Sequence, residues 1–339
     1  MYHIFNKSVE LKFNNSTMTL ILNPKSGRSR KQYLKIAHIN NIAGVPITIA
    51  NQQKRIGHSS DVYVFNRIAY KLFGGNKVNY RSLISRWKFF KKLKDYDLWH
   101  YHYPFGSLKR NLEKRNKDKI YLKHYHGVDL QQIGGDEDPC LVATPDLLCH
   151  APNGKWLPTA LNLEYYTKYR VYFCSPNGGR MYHRTKQEVP IVIHYPAYKF
   201  QPTVPDYYSR VLKQLENEGK CKVITTTKFT YEILMQKMVN SDIIVGKIRP
   251  DMGWFGKFEL EGMALGKPVI AYISDDLYQR YKPPIYRTTA ESFKKDLENL
   301  LEDVSERQRL SNTGLEYVQN HSVNKVEAQL KEYYDFLSR

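Results

Sequence analysis

The stretch KFELEGMALGKPVIAY, Lys257 to Tyr272, sets two acids, Glu259 and Glu261, at the start of a helical Gly-Met-Ala-Leu run. A Gly-Lys-Pro then leads directly into an apolar strand, Val269 to Tyr272. A helix feeding straight into a buried strand is half of an alternating α/β unit. The first N–H groups of a helix lack partners and carry its positive dipole end, a natural seat for phosphate. Just upstream, Gly253-Trp-Phe-Gly256 supplies glycines that let backbone approach a diphosphate closely. A glutamate in the first turn can accept hydrogen bonds from ribose hydroxyls. On the residues alone two readings stay open: a nucleotide-diphosphate site, or a helix packed on its sheet with acids that favour its first turn.

Outward from this stretch the same alternation fills the chain. YLKIAHI, SSDVYVF, DLWHYHYP, KIYLKHYHG and CLVATPDLL read as strands of a first sheet. VPITIANQQKRIG, SLISRWKFFKKLKDY and SLKRNLEKRN read as its helices. From Leu163 to Glu188 the pattern is irregular and reads as a connection. VPIVIHYP, CKVITTT, DIIVGK and KPVIAYI then form a second set of strands, with YYSRVLKQLENEG, TYEILMQKMVNS and FELEGMALG as helices between them. The expected organisation is α/β. Residues 1–30 form a basic tail or an added strand, and 31–165 a Rossmann-like N-terminal domain. Residues 166–188 form a linker, 189–322 a C-terminal domain, and 323–339 a last helix that can return to the N-terminal domain. Two doubly wound sheets so joined bind ligands at the carboxyl ends of their strands, in the cleft between them.

The 339 residues fit two domains. No apolar run reaches the length of a membrane span, and no secretory leader is visible at the start. Four cysteines without a CxxC pair read as reduced thiols of a cytoplasmic protein. Of the net charge of +19, residues 1–130 carry +18, from 25 Lys and Arg against 7 Asp and Glu. Residues 131–339 carry 27 against 26. So basic a half points to an anionic membrane surface, an acidic substrate or nucleic acid; no recognisable DNA- or RNA-binding motif supports the last. In RSLISRWKFFKKLK, Leu83, Trp87 and Phe90 share one helical stripe, with Leu93 near it and Arg86, Lys88, Lys91 and Lys92 mostly off it. That stripe suits first a helix facing the sheet core, as crossover helices do, and then one lying on an anionic membrane; both hold where the core takes one face and the lysines stay outside.

SDIIVGKIRPDMGWFGKFELEGMALGKPVIAYI resembles the donor-site signature of the family-four retaining glycosyltransferases of the GT-B fold. KIAHINNIAGVPITIANQQKRIGHSSDVYVF resembles that family's first strand, glycine loop, helix and second strand, and HYHGVDL its His-Gly-x-Asp loop. VATPDLLCHAPNGKWLPTALNL and IVIHYPAYK are similar to its approach to the linker and the opening strand of its donor domain. The resemblance spans about residues 31–320. It implies a GT-B fold and transfer of a hexose from a UDP- or GDP-sugar to a glycan or lipid-linked acceptor with retention. No cofactor and no metal are implied, and the protein would be cytoplasmic or peripheral at the membrane. It places Glu261 on the nucleotide ribose and Lys199 on the diphosphate, with Phe255 and Gly256 N–H groups and Lys247 or Arg249 assisting. His126 would face the donor sugar from the other domain. Asn41, Ala43 and Gly44, with Gly127 and Asp129, would form acceptor-side loops, Gly44 leaving room for the approaching groups. Two positions depart from the pattern: Gly253 stands where an acid near the sugar is expected, two residues from Asp251, and Gln201 where a second basic residue is expected. These departures favour, as an alternative, a glycosyltransferase-like binding protein with impaired catalysis.

Two further motifs compete for attention. His100, His102, His124 and His126 form two His-x-His pairs, and residues two apart on a strand share a face. Four imidazoles could converge on zinc, but strand ends at a ligand cleft are the reading adopted, without metal ligands. Asp95-Tyr-Asp97 matches the metal-binding DxD of the other large glycosyltransferase fold and is read as a chance occurrence.

Overall fold

The computed structural model describes residues 33–102, 119–174, 189–195, 207–226 and 229–337, and the strands at 7–13 and 16–22. Lys199, Gln201 and the helix expected in SLKRNLEKRN lie outside the described residues. Contacts divide the chain into two compact units, residues 1–158 with 324–339, and residues 159–323. Strands β1 (Lys7–Phe13) and β2 (Ser16–Leu22) pair as an antiparallel hairpin.

The first unit is built on seven strands: β3 (Lys35–Ile39), β4 (Ser59–Val64), β5 (Asn76–Lys77), β6 (Leu98–His102), β7 (Ile120–Tyr125), β8 (Cys140–Val142) and β9 (Gly154–Trp156). Their order is β5-β4-β3-β6-β7-β8-β9, all parallel. The chain winds one way from β3 and then restarts on its other side at β6. A doubly wound sheet places its ligand crevice at such a switch point, here beyond the ends of β3 and β6. One face of these strands carries Ala37, Ile39, Trp99 and Tyr101, packed on Phe89 and Leu93 of the helix Leu83–Leu93. The opposite face carries His38, His100, His102 and His124.

The inward face of Leu83–Leu93 is therefore not the Leu83/Trp87/Phe90 stripe. Leu83 is 73%, Ile84 68% and Trp87 61% exposed. Phe89 and Leu93 are the buried pair, four positions apart on one helix face.

The second unit holds β10 (Ile191–His194), β11 (Lys222–Thr225), β12 (Ile243–Val245), β13 (Val269–Ala271) and β14 (Tyr286–Arg287), in the order β11-β10-β12-β13-β14 and all parallel. Its switch point lies beyond β10 and β12. Period-two burial splits the core into two layers. Ile193, Ile244, Val269 and Ala271 face Met235, Leu260 and Met263. Val192, Ile243, Val245 and Ile270 face Leu212, Phe293 and Leu297.

Two sequence expectations change. The strand expected over CLVATPDLL ends at Val142, and Pro145–His150 is a 3-10 turn, since Pro145 has no N–H for a ladder. The irregular connection begins instead as a helix, Leu163–Cys174, within the second unit. Its tyrosines are weak helix formers in isolation, but Tyr166 is buried in the core of that unit. Among the described residues no helix is long and apolar enough to cross a membrane.

Candidate functional site

The helix Lys257–Ala264 follows the loop that leaves β12, so its N-terminus stands at the switch point of the second unit. Each glycine of Glu-Gly-Met-Ala-Leu-Gly has a mechanical reason. A Cβ on Gly262 would lie 2.8 Å from the Ile244 side chain, so glycine lets the helix sit close on β12. Gly266 ends the helix at φ +70°, where glycine carries no Cβ penalty.

Glu259, the first of the two acids, is fully buried. Its Oε1 accepts the Lys247 N–H at 2.7 Å and its Oε2 the Gly256 N–H at 2.9 Å. One carboxylate thus ties the first and last turns of the loop together. Gly246 makes room for it: a Cβ there would stand 2.7 Å from Glu259 Oε1. The Gly256 N–H expected to meet a diphosphate is therefore already engaged. A reciprocal acid at the third helical position was legible as half a capping box; the missing Ser or Thr at Gly256 hid it.

Glu261 lies two residues further along, 4% exposed. Its Oε1 accepts Tyr231 Oη at 2.6 Å and Tyr166 Oη at 3.1 Å, and Lys257 Nζ stands 2.7 Å away. Oε2 takes no hydrogen bond among the described residues. Burial raises the Tyr231 phenol, and the Glu261 charge raises it further, so it stays a donor. A carboxylate with one oxygen fixed by three donors and the other free is a preorganised acceptor for a hydroxyl. Tyr166, Tyr231 and Lys257 escaped sequence reasoning. Only Lys257, four residues before Glu261, carried a readable signal.

The other donor-side residues separate. Lys247 Nζ would stand 2.7 Å from a Cβ at Gly256, so the ammonium rests against the helix N-terminus, and it forms no ion pair among the described residues. Phe255 is core, 2% exposed and stacked on Trp254 with ring centroids 4.6 Å apart. Gly253 has φ +72° and donates its N–H to the Arg249 carbonyl at 3.2 Å. An acid at that position would be strained in this loop. Asp251 does not replace it as a free carboxylate: Arg249 Nε meets its Oδ1 at 2.7 Å, and a second guanidinium nitrogen meets Oδ2. This pairing holds the Asp251 carboxyl below its usual range and commits Arg249 as a cation.

In the first unit, the Asp129 carboxylate folds back on its own loop, accepting the N–H groups of Gly127 (2.7 Å), His126 (3.0 Å) and Leu130 (3.1 Å). Asp129 thereby fixes the His126 backbone, while Gly127 borders open space, with nothing within 4 Å of where a Cβ would stand. Gly44 and Ala43 both have positive φ, and a Cβ on Gly44 would lie 2.8 Å from the Phe73 ring. The room expected at Gly44 for an approaching group is thus taken by Phe73. Asn41 is buried, with Nδ2 on the Gly74 carbonyl and Oδ1 without a partner among the described residues. Asp97 is remote from both sites, its Oδ2 accepting the Lys35 N–H at the amino end of β3.

The two His-x-His pairs do converge, and His38 of β3 joins them. Gln53 Oε1 accepts Ser60 Oγ and His38 Nε2, both at 2.8 Å. His38 Nδ1 meets His102 Nε2 at 2.9 Å, and His102 Nδ1 meets His126 Nε2 at 2.9 Å. Starting from the Gln53 carbonyl, each ring carries its proton on Nε2, which leaves His126 Nδ1 as a bare lone pair. Beside this chain Tyr334 Oη meets His100 Nδ1 at 2.8 Å, and His100 Nε2 meets His124 Nδ1 at 3.2 Å. Burial drives the rings toward neutrality, His38 down to about 4 and His126 to about 3. Burial, then repulsion by neighbouring histidines, lowers His100, His102 and His124 well below the usual value.

The fold is GT-B. No family model and no curated protein sequence matches the chain. Among solved structures, Anabaena HepE in complex with UDP and glucose aligns at a TM-score of 0.59 and 12% identity, over 89% of this chain and 99% of that one. A glycosyltransferase from Rickettsia africae aligns at 0.59 and 14%, over 91% and 100%. Sucrose-phosphate synthase from Thermosynechococcus elongatus aligns at 0.56 and 15%, over 91% and 99%. At these identities the likeness carries the fold.

Proposed function

We propose that the chain is a retaining glycosyltransferase that moves a hexose from a nucleotide-diphosphate sugar to a lipid-linked glycan or polysaccharide acceptor. The observation that carries this reading is Glu261: a buried carboxylate with Oε1 fixed by Tyr166, Tyr231 and Lys257 and Oε2 free, at the switch point of a doubly wound sheet. Glu261 Oε2 receives a ribose hydroxyl. The diphosphate lies against the N-terminus of Lys257–Ala264, where Lys247 and the helix dipole offset the charge that builds on the departing group. Lys199 is assigned to the same diphosphate by resemblance. UDP and glucose are bound by HepE of the same fold, which favours a UDP-sugar for the first trials. His126 is the first-unit residue assigned to the reaction, and the transfer is drawn without a metal. Anomeric NMR of the product reads retention. Absence of transfer and of donor hydrolysis across a panel of UDP- and GDP-sugars would remove the assignment.

The lipid-linked acceptor rests on the helix Leu83–Leu93, which presents Leu83, Ile84 and Trp87 outward beside Lys88, Lys91 and Lys92. Exposed Trp and aliphatic residues beside lysines suit the surface of an anionic bilayer. Sedimentation with anionic vesicles, reduced in Trp87→Ser, tests it; equal partition onto neutral vesicles would contradict the electrostatic part.

A second reading, a nucleotide-sugar-binding protein with impaired catalysis, is favoured by one feature: Gly253 and the Arg249–Asp251 pair leave no free acid in the loop before the helix. Turnover of any donor by the wild type separates the two.

A further inference from the structure

His38, His100 and His102 are completely buried on one face of adjacent strands β3 and β6, and one ring nitrogen of each lies within 4.8 Å of the others. Burying three imidazoles carries a desolvation penalty unless every nitrogen finds a partner. The outer partners are arranged ring by ring. Gln53 holds His38 Nε2, Tyr334 holds His100 Nδ1, and His126 holds His102 Nδ1. The opposite nitrogen of each ring, His38 Nδ1, His100 Nε2 and His102 Nε2, remains for the interior of the cluster. Metal-bound histidines are anchored in this manner, one nitrogen on the ion and the other on a fixed partner. Nitrogens around one tetrahedral ion stand roughly 3.3 Å apart. The His38–His102 contact is 2.9 Å and the three nitrogens lie within 4.8 Å of one another, so ring shifts of about 1.5 Å or less bring them to that spacing. His124, 2% exposed, has an Nε2 without a hydrogen-bond partner among the described residues.

We propose that His38, His100 and His102, with His124 beside them, bind one divalent transition-metal ion of the imidazole-preferring class such as Zn²⁺. Neutral imidazole suits zinc, cobalt, nickel and copper. Glu327, buried and hydrogen-bonded with the Gln53 side chain that holds His38 Nε2, has an Oε1 with no partner among the described residues, and Asp129 accepts the His126 N–H. The site joins β3 to β6.

Ion binding reverses the hydrogen-bonded chain without net loss of a proton. To offer both His38 Nδ1 and His102 Nε2 as lone pairs, His102 moves its proton to Nδ1 and donates to His126 Nε2. The His126 proton then resides on Nδ1. His126 thus presents an acceptor without the ion and a donor with it.

The experiment uses the full chain, stripped with chelator, checked by circular dichroism, and titrated with Co²⁺. One equivalent should bind and give the intense visible absorption of a four-coordinate nitrogen site, and Zn²⁺ should displace it. His102→Gln should abolish the signal. Tyr334→Phe, a mild change that keeps the ring, should weaken Co²⁺ by roughly 10–100-fold through loss of the outer anchor. In ¹⁵N spectra Zn²⁺ should move the His126 proton from Nε2 to Nδ1. No Co²⁺ binding by the folded, stripped chain would overturn the proposal. So would binding that persists unchanged in His102→Gln, or that is lost in a His150→Ala control.

Discussion

The Glu259 carboxylate spans the loop after β12, from the Lys247 N–H at 2.7 Å to the Gly256 N–H at 2.9 Å, and so sets where the next helix begins. Both oxygens are used and the side chain is fully buried. Glu259→Ala therefore leaves two half-buried N–H groups without their acceptor, at up to about 1–3 kcal/mol each. The expected outcome is a loss of several kcal/mol in urea unfolding. Glu259→Gln keeps one acceptor and turns an N–H toward the other donor, with a smaller loss.

Tyr231→Phe removes the 2.6 Å donor to Glu261 together with the 3.0 Å contact to Tyr166 Oη. Hydrogen bonds to charged groups contribute roughly 1.5–3 kcal/mol. Donor affinity should fall about tenfold in calorimetry, because Glu261 Oε1 loses its shortest phenol contact. Unchanged affinity would show that the phenol does not orient the carboxylate.

At Gly253, φ +72° fits glycine, with Ser274 Oγ 3.3 Å from a Cβ. Restoring the acid that the resemblance expects, as Gly253→Glu, should destabilise the chain by roughly 1–2 kcal/mol through left-handed strain and should not raise turnover. A gain in turnover would show that the loop reshapes to accept an acid.

Glu327 sets a pH dependence in the first unit. Burial raises its carboxyl from 4.5 to about 7, against the lowering effects of Lys331 and the Gln53 hydrogen bond; the Tyr334 phenol faces it as well. The folded state thus holds this proton more tightly than the unfolded chain. Its favourable contribution is complete below pH 4.5, declines as pH rises toward 7, and is gone above that. The wild type minus Glu327→Gln difference in unfolding free energy should fall by about 3 kcal/mol over that window. The difference curve isolates Glu327 from the buried histidines, whose lowered values give the opposite slope as pH falls below 6.5. A flat difference curve would contradict the assignment.

The alternation of strand and helix was legible because period-two and longer amphipathic patterns dominate both sheets, from KIAHI to KPVIAY. The helix Leu163–Cys174 was hidden because its aromatic residues are weak helix formers and only the core around Tyr166 fixes them. The Leu83/Trp87 stripe misled because periodicity marks an apolar face without saying what covers it; Phe89 and Leu93 take the sheet. Glu261 was readable from its motif. Its cage was not, since Tyr166 and Tyr231 lie 95 and 30 residues away in sequence. His38 was missed for the same reason: β3 meets β6 through a pairing across 62 residues, His38 to His100.

The proposed function stands or falls on Glu261 as the anchor of a nucleotide sugar. Titration calorimetry of the wild type and Glu261→Ala with UDP-sugars and GDP-sugars measures that role. One-site binding by the wild type is expected, weakened at least tenfold in the variant, with both chains folded. No binding by the folded wild type, or equal affinity in Glu261→Ala, would refute it.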